Sequence, residues 1–268
     1  MLIFSEYDNS LINVFSSQPV VDIQLEDTNC FLVRFPRFKQ VTHLILAYDA
    51  ENLFLKSKSA YGSFFNFEKM LSDLEEKNDV GYFVIGVTSN ISRKKQYNPY
   101  PRLQRENFAT AHINNIMTMY LPRILSDYDV DFDSLIKIVM GASMGGLMSL
   151  KTSIMYPLFN NVVSLSPAFW FGYPGIVDDL SNLSHFSVCN ISVGTKEGNV
   201  FGDKVKNIFP NTWDLDFSSN DQFYISGVEK IKDKLLERNI TTNYVSQDGG
   251  EHNENYWNPI LKDFLVSI

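Results

Sequence analysis

The sequence predicts an α/β protein in which a mostly parallel central sheet carries helices on both faces and begins with antiparallel strands. From residue 41 onward, nearly continuous apolar segments alternate with helix-like ones, which is typical of βαβ units. Before them, between Ser10 and Phe38, short apolar stretches are separated by Ser, Pro, Asp and Asn, as in antiparallel strands. The 268 residues are enough for one substantial core, so we expect a single domain over residues 1–268.

The composition excludes several classes of protein. Hydrophobic residues make up 44% of the chain and charged residues 20%, which is ordinary for a globular protein. The net charge of −8 argues against nucleic acid as a partner, because phosphate binding needs a basic surface. The first residues lack the basic and apolar regions of a signal peptide, and no apolar run approaches the roughly 18 residues of a membrane span. We expect a cytoplasmic protein without a membrane partner, and association into a homo-oligomer stays open.

The cysteines give no framework for the fold. The chain has only two, Cys30 and Cys189, and no Cys-x-x-Cys pair or Cys/His cluster. The sequence therefore indicates neither a disulfide scaffold nor a structural zinc site.

The strands and helices follow from the apolar pattern. At the N-terminal end the predicted strands are Leu11–Phe15, Val20–Gln24 and Phe31–Phe35. The predicted buried strands are Val41–Tyr48, Tyr82–Val87, Leu135–Met140, Asn161–Leu165, Val188–Val193 and Thr241–Ser246. Helices are predicted over Phe64–Glu76, Asn107–Leu125, residues 144–156, Gln222–Arg238 and Tyr256–Val266, with Pro122 expected to end or bend the second of them.

Two long stretches, Phe169–His185 and Gly198–Asn220, are predicted to be irregular and are rich in Phe, Tyr and Trp. Long loops in a compact domain are often functional, so these stretches could cap a pocket and receive an apolar acyl group. The same aromatic residues could equally pack the loops onto the core.

Gly141-Ala142-Ser143-Met144-Gly145 matches the G-x-S-x-G nucleophile elbow. In such an elbow the serine stands on a strained strand-to-helix turn, and small flanking residues let the two backbones approach closely. The motif follows a predicted buried strand and precedes a predicted helix, which is the context that it requires. Ser143 is the predicted nucleophile, and the backbone N–H of Met144 is a predicted oxyanion donor.

A serine nucleophile needs a histidine base, and the chain has four histidines. His43 lies inside a predicted strand and His112 on a helix before the nucleophile, so both are expected to serve packing or the surface. His185 follows the nucleophile but has no supporting pattern. His252 lies just after the last predicted strand, in the order Ser, acid, His of this kind of site, and is the predicted base.

The acid that orients the base should follow the penultimate strand, between Ser143 and His252. Glu197 stands just past the end of that predicted strand. Asp203 lies slightly downstream and stays an alternative, whereas Asp178 and Asp179 fall one strand too early.

Four separated blocks of the sequence occur in a recognisable order. They are Met140–Leu150, Ser164–Trp170, Val193–Glu197 and Gly249–Glu254 with Trp257 shortly after. Together they resemble the "putative esterase" family of α/β hydrolases, which includes esterase D (S-formylglutathione hydrolase), enterochelin-type esterases, feruloyl esterases and mycolyltransferases. The resemblance implies the α/β-hydrolase fold and a triad of Ser143, Glu197 and His252.

Two further segments are similar to blocks of that family. Asp49–Phe54 resembles a block whose backbone supplies the second oxyanion donor, which implies the N–H of Glu51, although Ala50 replaces the usual glycine. Residues 93–99 resemble a loop near the site. The three cations of this loop, Arg93, Lys94 and Lys95, could attract an acidic substrate or could form a solvated loop.

The expected activity is hydrolysis of a small-molecule carboxylic ester or thioester through an acyl-enzyme, with no metal or cofactor. An acyltransferase would use the same three residues, and a silent binding protein could keep the same fold. The sequence leaves the physiological substrate open.

Overall fold

A computed structural model describes residues 21–25, 29–36, 39–54, 63–89, 92–101, 108–183 and 188–268. Within this part of the chain one sheet is formed by eight strands, namely β1 (Val21–Leu25), β2 (Asn29–Arg34), β3 (His43–Tyr48), β4 (Tyr82–Val87), β5 (Ile136–Ala142), β6 (Asn161–Leu165), β7 (Val188–Lys196) and β8 (Thr241–Glu251). Their spatial order is β1-β2-β4-β3-β5-β6-β7-β8.

One strand, β2, runs opposite to all the others in the sheet. β2 pairs antiparallel with both β1 and β4, and every pairing from β4 across to β8 is parallel. The predicted α/β-hydrolase architecture with antiparallel N-terminal strands is therefore confirmed. The predicted strand Leu11–Phe15 lies outside the described residues.

The helices of the described chain cover both faces of the sheet. They are α1 (Ala50–Phe54), α2 (Phe67–Lys77), α3 (Arg93–Gln96), α4 (Phe108–Asn115), α5 (Leu121–Asp127), α6 (Met144–Met155), α7 (Gly175–Leu180), α8 (Val205–Ile208), α9 (Asn220–Glu237) and α10 (Glu254–Val266). Alternate residues of β3 enter opposite cores: Leu44 and Leu46 pack on one face, Ile45 and Ala47 on the other. A strand buried on both faces has to be apolar at successive positions, which is why the central strands read as continuous apolar runs.

Pro122 was expected to end or bend its helix, and it does not end it. Helix α4 passes through a π-helical turn, Ile116–Tyr120, into α5, where the proline stands in the first turn. The N–H of Leu121 donates to the carbonyl of Ile116, five residues back. A proline in the first turn of a new helical segment has no N–H bond to lose, so the chain continues as a helix.

The two stretches predicted to be irregular contain short helices. The first holds a 3-10 turn, Phe169–Phe171, and α7, while the second holds a 3-10 turn, Gly198–Phe201, and α8. Their aromatic side chains pack against one another and against Phe223 of α9. The described aromatic residues of these stretches thus add to the core, as the second of the two interpretations expected.

Helix and strand ends differ from the predicted ones for local reasons. Helix α2 begins at Phe67 because Asn66 before it is left-handed, with φ 46°. Helix α10 begins at Glu254, two residues early, because the side chain of Asn253 accepts from the N–H of Asn255 and caps it. β8 extends to Glu251, so the predicted loop before His252 is in fact mostly strand.

Candidate active site

Ser143 forms a tight turn between the end of β5 and the first residue of α6. Its backbone has φ 55° and ψ −120°, which is uncommon for a residue other than glycine. Its N–H donates to the carbonyl of Leu165 at 2.8 Å, and its carbonyl accepts from the N–H of Ala168 at 2.9 Å. The neighbouring strand end thus holds Ser143 in a strained conformation, as a nucleophile elbow requires.

The two outer glycines of the motif are required by close approaches. A Cβ on Gly141 would lie 2.5 Å from the backbone of Gly145, where the strand meets the following helix. A Cβ on Gly145 would lie 2.9 Å from Oδ2 of Asp49. Any larger residue at either position would push the turn or the Asp49 loop away.

Glu197 and His252 meet in a buried contact, although they are 55 residues apart in sequence. Glu197 directly follows β7 and is fully buried, while His252 directly follows β8 and is 5% exposed. His252 Nδ1 lies 2.8 Å from Glu197 Oε2. These two residues stand at the carboxyl ends of neighbouring parallel strands, which explains how the chain brings them together.

The contact also fixes which ring nitrogen carries the proton. An ionised carboxylate only accepts hydrogen bonds, so the proton of a neutral His252 belongs on Nδ1. Nε2 is then left as an acceptor, which is the protonation state that a general base needs.

The alternative acids lie elsewhere. Asp203 is exposed, and its Oδ1 accepts from the N–H of Lys204. Asp179 pairs with Lys151 at 2.6 Å, and Asp178 is exposed. The structure therefore brings only Glu197, of these four described carboxylates, to His252.

Two of the other histidines, His43 and His112, are packed among neighbouring side chains. His43 begins β3 with its Nδ1 2.7 Å from Thr42 Oγ1. His112 is 4% exposed on α4 and packs near the ring of Tyr97. Both have the packing role expected of them, and His185 lies outside the described residues.

Ser143 opens onto a cavity of about 220 Å³. Its described lining combines apolar walls with several polar groups, and consists of Tyr48, Asp49, Glu51, Asn52, Leu53, Phe65, Ser89, Arg93, Met140, Gly141, Ala142, Ser143 and Trp257. Trp257 links the cavity to His252, because its ring also packs edge-on against the imidazole with centroids 4.8 Å apart. The cavity walls are thus continuous with the Glu197–His252 pair.

Two backbone N–H groups are predicted to bind the oxyanion, and in the structure Glu51 lines the cavity while Met144 directly follows Ser143. Met144 is the first residue of α6, where helical N–H groups have no partner within the helix. Glu51 lines the cavity, and the left-handed backbone falls on Asp49 (φ 55°), so Ala50 begins α1 without needing glycine. The family glycine is therefore dispensable here.

The side chain of Glu51 is hydrogen-bonded to Ser89. Its carboxylate accepts from the N–H of Ser89 at 3.0 Å and from the Ser89 hydroxyl. Burial raises the pKa of Glu51, and the nearby charge of Asp49 raises it further. Glu51 is thus easier to protonate than an ordinary glutamate.

Arg93 differs from the other two cations of its segment. Its Nε and Nη2 donate to the two oxygens of Asp49 at 2.7 and 2.6 Å, and its Nη1 lies 3.2 Å from the sulfur of Met144. Lys94 and Lys95 are exposed. Arg93 therefore forms an ion pair within the protein, with Asp49, the residue just before the helix that contains Glu51.

Two contacts of this site were not anticipated from the sequence. One joins Arg93 to Asp49, and the other joins Ser166 to Glu197 at 2.6 Å. The available signal was position: a polar residue just after a parallel strand lies at the edge of the sheet where sites form. Asp49 follows β3 and Ser166 follows β6 in this way.

No group of three or more His, Cys, Asp or Glu side chains suited to a metal ion occurs among the described residues. The helices within that same part of the chain include none with the length and apolar character of a membrane span.

The chain belongs to the esterase family whose model carries the description "Putative esterase", because that model matches residues 33–268. A relative in Bacillus subtilis (strain 168), the uncharacterized protein YbbA, is 24% identical over 116 residues. This alignment spans 40% of the chain and 46% of YbbA, so less than half of either protein is compared.

Several solved structures share the fold. The siderophore hydrolase EstA from Aspergillus nidulans superposes with a TM-score of 0.65 at 16% identity over 92% of each chain. The enterobactin esterase FES from Shigella flexneri gives 0.61 at 14% identity over 89% of this chain and 55% of that one. An S-formylglutathione hydrolase from Agrobacterium tumefaciens gives 0.59 at 12% identity over 92% of each. At these identities the similarity establishes the α/β-hydrolase fold, and membership of the esterase family supports ester hydrolysis.

Proposed function

We propose that this protein is a serine esterase that hydrolyses a small-molecule carboxylic ester or thioester through an acyl-enzyme. The observation that carries the proposal is the buried 2.8 Å contact between His252 Nδ1 and Glu197 Oε2. It lies next to a cavity that also contains Ser143, a strained serine at the start of a helix. A base oriented by a buried acid beside such a serine is the arrangement that serine hydrolases use.

In the proposed first step Ser143 Oγ attacks the carbonyl carbon while its proton passes to His252 Nε2. Glu197 stabilises the imidazolium that forms, and the N–H groups of Met144 and Glu51 bind the oxyanion. Collapse of the tetrahedral intermediate expels the alcohol or thiol, which takes the proton from His252. Water then repeats the sequence on the acyl-enzyme and releases the carboxylic acid.

The cavity supports a substrate with a modest acyl group. Its volume of about 220 Å³ lies below the range of about 300–1,000 Å³ that is usual for drug-sized ligands. Phe65 and Trp257 provide an aromatic wall, and Asp49, Glu51 and Arg93 provide a polar one. Siderophore esters, S-formylglutathione and feruloyl esters, by analogy with proteins of the same fold, are the first compounds to compare.

An acyltransferase with the same residues stays the second candidate, since an alcohol can replace water in the last step. Product analysis in the presence of added alcohols separates the two. Cytoplasmic location, a small-molecule partner and the homo-oligomer left open by the sequence stay predictions.

The test is the hydrolysis of a p-nitrophenyl ester by three variants. We expect Ser143→Ala and His252→Ala to lower kcat by roughly 10⁴- to 10⁶-fold, because each removes a group that acts only with the other. His43→Gln serves as the matched control, since His43 contacts Thr42 and Tyr82 at the start of β3 and β4, and should keep the rate of the unaltered protein. Retention of more than about a tenth of that rate by either active-site variant contradicts the proposal.

The substrate class is tested by kcat/KM over a panel of esters. The panel varies acyl length and includes S-formylglutathione, a feruloyl ester and a siderophore ester. Specificity is the ratio of kcat/KM values, so a preference of about 100-fold or more for one class identifies it.

A further inference from the structure

Ser166 links the proposed acid to the cavity wall. It directly follows β6, is fully buried and has a left-handed backbone with φ 43°. Its N–H donates to the carbonyl of Ser192 at 2.8 Å, and its carbonyl accepts from the hydroxyl of Tyr224 at 2.6 Å. The backbone is therefore held on both sides, although its conformation is uncommon for serine.

The hydrogen bonds of the Ser166 side chain have a fixed direction. The indole Nε1–H of Trp257 donates to Ser166 Oγ at 2.9 Å, and Ser166 Oγ lies 2.6 Å from Glu197 Oε1. An indole N–H can only donate, and an ionised carboxylate can only accept. The hydroxyl proton of Ser166 therefore points at Glu197, in a one-way chain that starts at Trp257.

This chain determines which oxygen of Glu197 faces the base. Oε1 accepts from Ser166 and from the N–H of Gly194, while Oε2 is directed at His252 Nδ1. Two donors on Oε1 oppose rotation of the carboxylate away from the imidazole. A hydrogen bond to a charged acceptor is stronger than one between neutral groups, so the Ser166 hydroxyl restrains Glu197 more than it would restrain a neutral side chain.

Trp257 contacts both His252 and Ser166, the residues on either side of Glu197. Its ring packs edge-on against His252 at 4.8 Å and is stacked on Phe65 at 6.1 Å, while its N–H binds Ser166. The same side chain lines the cavity with Ser143. A ligand that touches Trp257 would thus touch the residue that anchors Ser166.

We propose that Ser166, anchored by Trp257, is a positioning residue that holds Glu197 in the orientation needed by His252. The inference rests on the proposed serine esterase function. Ser166 does not touch the reacting atoms in this proposal, and its effect on the rate passes through Glu197.

Ser166→Ala removes the hydroxyl, and Ser166→Gly removes it while tolerating the positive φ. We expect both to lower kcat about 10- to 100-fold with KM changed less than about threefold, because orientation of the base matters in the transition state and not in substrate binding. Ser153→Ala is the matched control: it removes a buried serine hydroxyl that donates to the carbonyl of Phe159, and should keep the unaltered rate.

A double variant that lacks both Glu197 and Ser166 distinguishes a positioning role of Ser166 from a general structural role. In Glu197→Ala, addition of Ser166→Ala should lower the rate of fluorophosphonate labelling less than about twofold, because the residue through which Ser166 acts is gone. Trp257→Phe keeps an aromatic side chain but removes the N–H donor and part of the indole ring, so it should lower kcat in the same direction and add little to Ser166→Ala.

Three results overturn the inference. They are unaltered kcat in folded Ser166→Gly, a full additional loss from Ser166→Ala in the Glu197→Ala background, and a change confined to KM. If Ser166→Ala and Ser166→Gly fail to fold, unaltered kcat in Trp257→Phe overturns it as well. These results differ from failure of the proposed function, in which Ser143→Ala itself keeps the unaltered rate.

Discussion

Arg93 joins Met144, a predicted oxyanion donor, to Asp49, which lies just before the other predicted donor, Glu51. It binds Asp49 with two hydrogen bonds, two residues before Glu51, and its third nitrogen contacts the side chain of Met144. Burial alone would lower the pKa of Arg93, but the Asp49 carboxylate outweighs burial and holds that pKa above its usual value. A permanently charged, bidentate arginine is well suited to fix a loop in one position.

We predict that Arg93→Met lowers kcat for a neutral ester at least tenfold with little change in KM. The reason is that Asp49, only 5% exposed, loses the side-chain partner that holds it, and the start of α1 with Glu51 can shift. Arg93→Lys should fall in between, since lysine cannot make the bidentate pair. Steady-state kinetics measure both variants, with the exposed Lys94→Met as the control.

The alternative role for these cations was attraction of an acidic substrate. In that case Arg93→Met would raise KM for acidic esters and leave neutral esters unaffected. That outcome would show that Arg93 acts by binding substrate rather than by holding Asp49.

At this scale the sequence predicted which residues form the Glu197–His252 contact but not the residues around them. Chain order and position after a strand identify His252 and leave Glu197 and Asp203 as candidate acids, the family resemblance implies Glu197, and the structure joins Glu197 to His252. Contacts such as Arg93 with Asp49 depend on side-chain reach across 44 residues, which no local spacing encodes. The catalytic roles themselves stay predictions.

At the scale of elements, a buried ionic cluster joins β2 to α2. Arg34 of β2 is 1% exposed and binds Glu68 at 2.5 Å and Glu75 at 2.6 Å, both on α2. Its Nη1 also donates to the carbonyl of Tyr82 on β4. These groups satisfy one another, so each depends on the presence of the others.

We predict that Arg34→Met lowers the free energy of unfolding by about 3–5 kcal/mol, because two buried carboxylates lose their cation. Urea denaturation measures this value. Arg123→Met is the control, since its pair with Asp127 is more than half exposed on both sides and should contribute less than about 1 kcal/mol. Equal losses in the two variants would contradict this account of the cluster.

Helices and strands were predicted well where the apolar periodicity determines them. They were predicted poorly where a few individual residues, such as Pro122, determine the local structure. The central strands follow directly from continuous apolar runs. The passage of α4 into α5 at Pro122 depends on a π-helical turn, which has no sequence pattern of its own. For the aromatic residues of Phe169–His185 and Gly198–Asn220, the sequence does not indicate whether they face a cavity or the core.

At the scale of the whole molecule, the sheet was predictable because burial on both faces requires apolar side chains at successive positions. The apolar pattern does not determine the order of the strands, because non-neighbouring segments of similar character pair equally well.

Cys189 is a buried free thiol, and burial raises its pKa to about 12, which suits a packing role.

Acid stability of the molecule should depend on His112. Burial lowers the pKa of His112 to about 4, against about 6.5 in an unfolded chain. Between these values the unfolded chain binds a proton at this side chain and the folded chain does not. The stability that depends on neutral His112 is therefore complete above pH 6.5 and is lost as the pH falls toward 4.

We predict that His112→Phe removes up to about 3 kcal/mol of the acid-induced loss of unfolding free energy between about pH 6.5 and 4. Burial also lowers the pKa of His43, so the variant should keep part of the slope. Urea denaturation at several pH values compares the two proteins. Parallel pH profiles would contradict the assignment to His112.

The central claim is that Ser143 is a nucleophile activated by His252. Labelling with a fluorophosphonate, followed by intact mass and peptide mapping, tests it most directly, because the reagent requires an activated serine. We expect one adduct on Ser143 in the unaltered protein, none in Ser143→Ala and greatly slowed labelling in His252→Ala. An unmodified mass for the unaltered protein, or an adduct on another residue, would contradict the claim.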